Sequence, residues 1–259
     1  APAPLPATDY LVIESTYGDR RHPDIDPEAE IGEWLRKACA RGGVVVIPAF
    51  AVGRTQALLW HIASLKQKGE LPDVPVYLDS PMAIDATTLY QVFADEHRLS
   101  TEDCRALARV ARFVNSPEES RALDRSKGPM IIVAAAGMAT GGRVLHHLKA
   151  FVGEERNLIL FSGYQAPGTR GAALVGGARV LRMHGQEFTV KAQVAQLQAS
   201  SSHADADELL AWMRTMPAAP KKVFVTHGEP AAADALRYRI EHELNWPVEV
   251  PEYRDFHEL

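Results

Sequence analysis

The sequence predicts an α/β protein built on a mostly parallel sheet with helices on both faces. Two observations predict it. Short β-branched apolar runs recur along the chain, and the segments between them carry helical periodicity rather than strict alternation. A strand buried on both faces reads as continuous apolar sequence, as expected for a parallel sheet under two helical layers.

The elements follow in order. Residues 10–14 (YLVIE), 44–48 (VVVIP), 76–79 (VYLD), 130–134 (MIIVA), 158–162 (LILFS) and 223–226 (VFVT) read as buried strands. After VVVIP, Leu58, Ile62 and Leu65 fall on one helical face, and before VFVT so do Leu209, Leu210, Trp212, Met213 and Met216. Strand then helix, repeated, implies parallel crossovers. Residues 178–197 break the rhythm. Two strand-like runs flank a His-Gly turn, and Phe188, Val190, Ala192 and Val194 alternate with polar residues. This predicts a β-hairpin with one wet face and a boundary where a different sheet resumes.

With 259 residues, 46% hydrophobic and 24% charged, the composition is that of a soluble globular protein. A net charge of -5 excludes a global basic field, so a polyanion has to meet a local patch. Cys39 and Cys104 lie in separate helical segments and suggest neither a disulfide framework nor a thiolate metal site. No run of about 18 apolar residues occurs, and the APAPLPA opening lacks the regions of a signal peptide. No membrane partner is expected, and cytoplasmic is the default location.

In a parallel α/β sheet the chemistry gathers after the strand carboxyl ends. Glu14 ends the first strand, where a carboxylate is costly unless paired; a turn interaction with the Ser15 and Thr16 amides is the alternative. Arg54 and Thr55 in AFAVGRTQ, Gly137, Thr140, Gly141, Gly142 and Arg143 in GMATGGRVLHHL, and Tyr164 after the fifth strand line the next loops. Small residues at a helix mouth expose amides to phosphate, and a guanidinium matches phosphate oxygens. The same glycines also suit tight packing alone. His146 and His147 point about 100° apart on a helix, so they read as solvated or packing residues rather than a chelating pair.

His203, in SSSHADADELL, reads either as a catalytic group at a helix mouth or as a polar cap residue. His227, in VFVTHGEP, stands between a buried strand and a glycine, a position for a metal ligand, an acid/base or a structural histidine.

Taken in order, LVIESTYGDR, VVVIPAFAVGRTQALL, VYLDSPMA, GMATGGRVLHHL, LILFSGYQAPGTRG, SSSHADADELL and VFVTHGEP closely resemble the β-CASP branch of the metallo-β-lactamase-fold nucleases. The likeness runs over essentially the whole chain, from about residue 9 to residue 253. It implies a Rossmann-like β-CASP domain over residues 21–183. The end of the metallo-β-lactamase N-terminal segment would occupy residues 1–20, and a C-terminal part of that αββα fold residues 184–259. By this resemblance, the motif A carboxylate is Glu14, the motif B histidine His203 and the motif C histidine His227. In that family the motif C histidine binds one zinc of a two-zinc site. The motif B histidine, supported by the motif A carboxylate, acts as general acid in RNA phosphodiester hydrolysis. RNA is thus the implied partner, zinc the implied cofactor, and a homodimer a further expectation, since prokaryotic members commonly pair.

Two departures lie within the motifs. Alanines 134–136 precede Gly137 where the family usually carries a serine, and Ser200-Ser201-Ser202 replaces a common Phe-Ser-Ala. The family's HxHxDH segment, which supplies most zinc ligands upstream of motif A, does not occur in these 259 residues. The expectation is therefore a C-terminal part of a larger enzyme, inactive by itself. A non-catalytic RNA- or partner-binding scaffold and a nucleotide-binding Rossmann-like protein are the alternatives.

Overall fold

A computed structural model of the chain describes residues 2–259. They form two compact units, one of residues 2–23 with Ser201–Leu259, the other of Asp24–Ser200. The first unit opens the chain with β1 (Tyr10–Glu14).

The second unit then runs α1 (Pro27–Ala40), β2 (Val44–Pro48), α2 (Arg54–Gln67), β3 (Val76–Asp79), α3 (Pro81–Val92), α4 (Thr101–Val110), β4 (Arg112–Phe113) and α5 (Pro117–Asp124). It continues with β5 (Met130–Ala134), α6 (Val144–Phe151), β6 (Leu158–Phe161), α7 (Arg170–Val175), β7 (Val180–Met183), β8 (Gln186–Thr189) and β9 (Gln193–Gln196). A six-stranded sheet of order β4-β3-β5-β2-β6-β9 is parallel throughout. Side chains alternate between its faces. Val45, Ile47, Ile131, Val133 and Leu158 pack with Leu35, Leu58, Ile62 and Leu65 of α1 and α2. Val44, Val46, Ile132, Ile159 and Phe161 pack with Leu145 and Leu148 of α6. Both faces are covered, which is why these strands are apolar at every position, and the α/β class expected from the sequence is what forms. Local signals agree with it. Ser80 caps α3 ahead of Pro81, and capping boxes start α4 (Ser100, Asp103) and α5 (Ser116, Glu119).

The hairpin after residue 178 differs from expectation in where it ends. β7 and β8 pair antiparallel as a two-stranded sheet, but β9 leaves them and joins β6 in parallel, from Leu158↔Gln193 to Phe161↔Gln196. Leu158 and Leu160 on β6 offer Ala195 and Leu197 a place in the same core, so this stretch stays with the second unit. The two compact units meet between Ser200 and Ser201.

The first unit resumes with α8 (Ala206–Met213), β10 (Lys222–Thr226), α9 (Pro230–Arg239) and β11 (Val248–Glu249). Its three-stranded parallel sheet has the order β1-β10-β11. Leu11, Ile13, Val223 and Val225 pack with Leu209, Leu210 and Met213 of α8 and Leu236 of α9. The β1–β10 register pairs Glu14 with Thr226, so the residues leaving the two strands emerge side by side. Among the described residues no helix is long and apolar enough to cross a membrane.

Candidate active site

The paired ends of β1 and β10 bring together residues from three distant parts of the sequence. Glu14 closes β1, and the turn that follows is buried from Ser15 through Gly18. Ser15 Oγ donates to the Thr226 carbonyl at 2.8 Å and ties this turn to the end of β10. His227 then adopts a left-handed backbone, with φ of 55°. That conformation is unusual for a residue with a side chain. The next position has room only for glycine, because a Cβ on Gly228 would lie 2.3 Å from Ser15 Oγ and 2.5 Å from the Ser15 carbonyl oxygen.

His203 enters from the loop before α8. It is not the cap of that helix. Asp205 is, in a capping box with Glu208, and the second carboxylate oxygen of Asp205 accepts the His22 amide at 2.7 Å. His22 in turn bonds the His203 carbonyl through Nε2 at 2.8 Å and sets its ring edge to face against Tyr17. These contacts fix the His203 backbone from outside the helix.

The side chains converge on Thr16. Glu14 Oε2 accepts the Thr16 amide at 3.0 Å, and Glu14 Oε1 lies 3.1 Å from His203 Nδ1. Thr16 Oγ1 donates to the His227 carbonyl at 3.2 Å and is 3.3 Å from both His203 Nδ1 and His227 Nδ1. With that hydroxyl proton directed at a carbonyl, the threonine oxygen is left to accept from the ring nitrogens. A carboxylate facing His203 Nδ1 selects the Nδ1–H tautomer and steadies the imidazolium, leaving Nε2 as the nitrogen available to a substrate. The two imidazoles stack with centroids 5.6 Å apart. Burial alone would raise the Glu14 carboxyl, but the hydrogen bonds from Thr16 and His203 outweigh it and hold the group below the usual carboxylate range.

Ligand atoms of Glu14, His203 and His227 all lie within 4.8 Å of one another. Imidazole nitrogen and carboxylate oxygen are the donors zinc takes, so the group fits in kind. It fits only in part in number. Glu14 and His203 face each other, which leaves His227 as the ligand this cluster offers most directly, whereas a catalytic zinc usually takes about three protein ligands. A second grouping, Glu249, Asp255 and His257, has Glu249 already paired with Lys222.

The remaining candidate residues all belong to the second unit, at the carboxyl ends of β2, β5 and β6, which are neighbours in its sheet. Arg54 opens α2 behind Gly53, whose φ is 76°, and its guanidinium reaches the neighbourhood of Gly163. The Thr55 hydroxyl is bonded to the Phe50 carbonyl at 2.8 Å and shapes the turn from within. Gly137 is buried against the Phe50 ring, Thr140 is exposed and Gly141 half-buried, and the exposed Gly142 has a φ of 77° with no room for a Cβ beside the Ala135 carbonyl. Tyr164 is half-buried, next to Gln165, which bonds the Gly137 carbonyl at 3.3 Å and so links the loops after β5 and β6.

Two expectations change here. Arg143 is turned inward, giving Nη1 to Asp79 and to the Val114 carbonyl. His147, read as a solvated or packing residue, is fully buried between Asp79 and Asp124. Sequence reasoning offered the Thr16 amide as a turn partner for Glu14, a bond that forms, but gave no role to the Thr16 hydroxyl, Tyr17 or His22. The available signal was STYG itself, four residues after a strand that a surface turn would not require to be small or aromatic.

Comparison with known proteins identifies the relatives of the chain. A family model described as Beta-Casp domain matches residues 55–174, and one described as Zn-dependent metallo-hydrolase RNA specificity domain matches residues 187–251. The chain is 38% identical over 242 residues to Ribonuclease TTHA0252 of Thermus thermophilus, covering 91% of this chain and 55% of the relative. It is 32% identical over 248 residues to an RNase J-like protein of Methanocaldococcus jannaschii, covering 94% and 57% respectively. To transcription termination factor FttA of Methanosarcina mazei it is 32% identical over 254 residues, covering 93% and 40%. The chain thus spans about half the length of the curated relatives it matches.

Proposed function

Because the chain belongs to the β-CASP family of the metallo-β-lactamase fold, we propose that it is part of a zinc-dependent hydrolase that cleaves RNA phosphodiesters in RNA processing or degradation. The observation that carries this reading is the joining of Glu14, Thr16, His203 and His227 at the ends of two adjacent strands. Such a site holds a ring nitrogen and its proton in place while another imidazole stands ready as a ligand.

In this reading His227 binds zinc, and the other ligands come from a part of the protein beyond these 259 residues. Zinc, when bound, activates water and stabilises negative charge on the phosphoryl group. Glu14 holds His203 with Nδ1 protonated, and His203 passes its Nε2 proton to the leaving ribose oxygen as the P–O bond breaks. Within the second unit, Arg54, Tyr164 and the open backbone of residues 140–142 contact phosphates of RNA. The family membership and the names of the relatives support the RNA substrate.

The test is His203→Ala in a longer protein that includes the remaining ligands. The expected result is loss of most cleavage with zinc content intact. Loss of zinc on this substitution would overturn the role given to His203. A zinc-loaded wild type that binds RNA without cleaving it would favour a non-catalytic scaffold instead.

A further inference from the structure

A buried group of charged side chains outside that site lies at the carboxyl end of β3. Asp79 is fully buried, and its Oδ2 meets Ser120 Oγ at 2.5 Å and His147 Nε2 at 2.8 Å, while Oδ1 takes Arg143 Nη1. His147 is fully buried as well, and its Nδ1 meets Asp124 Oδ1 at 2.7 Å. A neutral imidazole has one donor and one acceptor nitrogen. Here a carboxylate oxygen faces each nitrogen, so with both carboxylates ionised both nitrogens donate and the ring is an imidazolium. The charges then balance, with two carboxylates against one guanidinium and one imidazolium. A neutral His147 would leave a net negative charge in a largely buried site, which is costly.

The groups facing His147 come from every neighbouring element: Asp79 from β3, Asp124 from α5 and Arg143 from the turn before α6, with Glu119 of α5 acting on Arg143. On its own helix, His146 turns to His184 and Lys149 to Phe188. Burial acts to lower the His147 pKa, but its bonds to Asp124 and Asp79 outweigh that, and the net shift is upward.

Arg143 ends the turn of residues 136–143. The turn is closed by Ala136 N donating to the Gly141 carbonyl at 3.3 Å and by Val144 N donating to the Ala135 carbonyl at 3.1 Å. Its outer edge is open to solvent, with Thr140 and Gly142 exposed and Gly141 half-buried. The guanidinium is thus the tie between this turn and the buried carboxylate, and the imidazolium keeps that carboxylate in place.

We propose that Asp79, His147 and Arg143 form a positioning unit, in which charged His147 holds the Arg143 turn in the shape that offers its backbone to the phosphates of single-stranded RNA. This rests on the reading of that turn as phosphate-facing. Arg143 acts through the turn rather than as a direct phosphate ligand, and the turn loosens when His147 loses its proton on the alkaline side.

The experiment uses this chain with a 2′-O-methyl oligonucleotide, which resists hydrolysis, and follows binding by fluorescence anisotropy across pH. His147→Gln should bind about tenfold more weakly at neutral pH, the scale of one lost hydrogen bond to a charged group. Asp124→Asn supplies an amide donor to Nδ1, so a neutral His147 can then complete the network. That variant should bind as wild type at neutral pH and keep its affinity on the alkaline side, where wild type weakens. Nitrogen NMR of the folded wild type should show both His147 ring nitrogens protonated at neutral pH. An unprotonated nitrogen there, a folded His147→Gln protein with unchanged affinity, or an Asp124→Asn protein that weakens with pH as wild type does would each overturn the positioning role. If wild type shows no binding at any pH, the reading of the turn as phosphate-facing fails, and the proposal with it.

Discussion

Glu14 Oε1 and His203 Nδ1 stand 3.1 Å apart although 189 positions separate them in the chain. The contact exists because β1 and β10 are paired in parallel from Tyr10↔Lys222 to Glu14↔Thr226, while α8 packs on the same sheet and brings its preceding loop to the strand ends. A carboxylate on one ring nitrogen is the arrangement that readies the other nitrogen for proton transfer.

Glu14→Gln keeps an oxygen that can accept from His203 Nδ1–H but removes the charge that steadies the imidazolium. In a zinc-loaded longer protein, cleavage should fall by about 10²–10⁴-fold with metal content unchanged. Single-turnover kinetics with metal analysis checks it. The pH sign follows from the lowered pKa of Glu14: its stabilising contribution is present above the ordinary glutamate value and is lost as pH falls through the lowered one. The variant should therefore show a smaller acid-side loss of stability than wild type.

Gly228→Ala places a methyl group against the Ser15 backbone, a part of the turn that cannot move aside without disturbing Glu14 and Thr16. A loss of about 1–3 kcal/mol in unfolding free energy is expected, typical of overpacking a filled site. Displacement of His227 should appear as weaker zinc retention in the longer protein. Urea denaturation with a zinc titration measures both, and an unchanged pair of values would mean the backbone relaxes freely there.

Asp79→Ala leaves Arg143 and His147 without their shared carboxylate in a buried site. The expected cost is about 3–5 kcal/mol, as for breaking one side of a buried ion pair. His147 has a raised pKa, so its contribution is fully present below the ordinary imidazole value and is lost as pH rises through the raised one. Wild-type stability should fall on the alkaline side through this group, and His147→Gln should remove that limb. Denaturation midpoints across pH decide it.

Arg54→Ala should weaken RNA binding uniformly across sequences and lower the slope of log affinity against log salt by about one. The phosphate-contact role assigned to Arg54 predicts both changes. An altered affinity with an unchanged slope would instead make Arg54 a packing residue beside Gly163.

The fold class was legible because burial on both faces leaves a direct mark on composition. VVVIP, MIIVA and LILF are apolar throughout, and each became a strand of the six-stranded sheet. The site was legible in part for a different reason: strand ends are where side chains leave the sheet, so Glu14 and His227 stood out by position. Their roles and that of His203 came with the resemblance between motifs, since neither spacing nor periodicity pairs residues so far apart.

What the sequence determined by itself was the order of the strands along the chain, their double-sided burial and the residue types at their ends. Only the tertiary structure decided the pairings. Strand order in a parallel sheet depends on which crossovers bury the most apolar surface, and no local pattern states that β9 joins β6 instead of staying with its hairpin. Local reading likewise assigned Arg143 to phosphate and left His147 as a solvated or packing residue. The buried carboxylate of Asp79 drew both inward, because a charge removed from water is stable only when opposite charges and hydrogen-bond donors follow it.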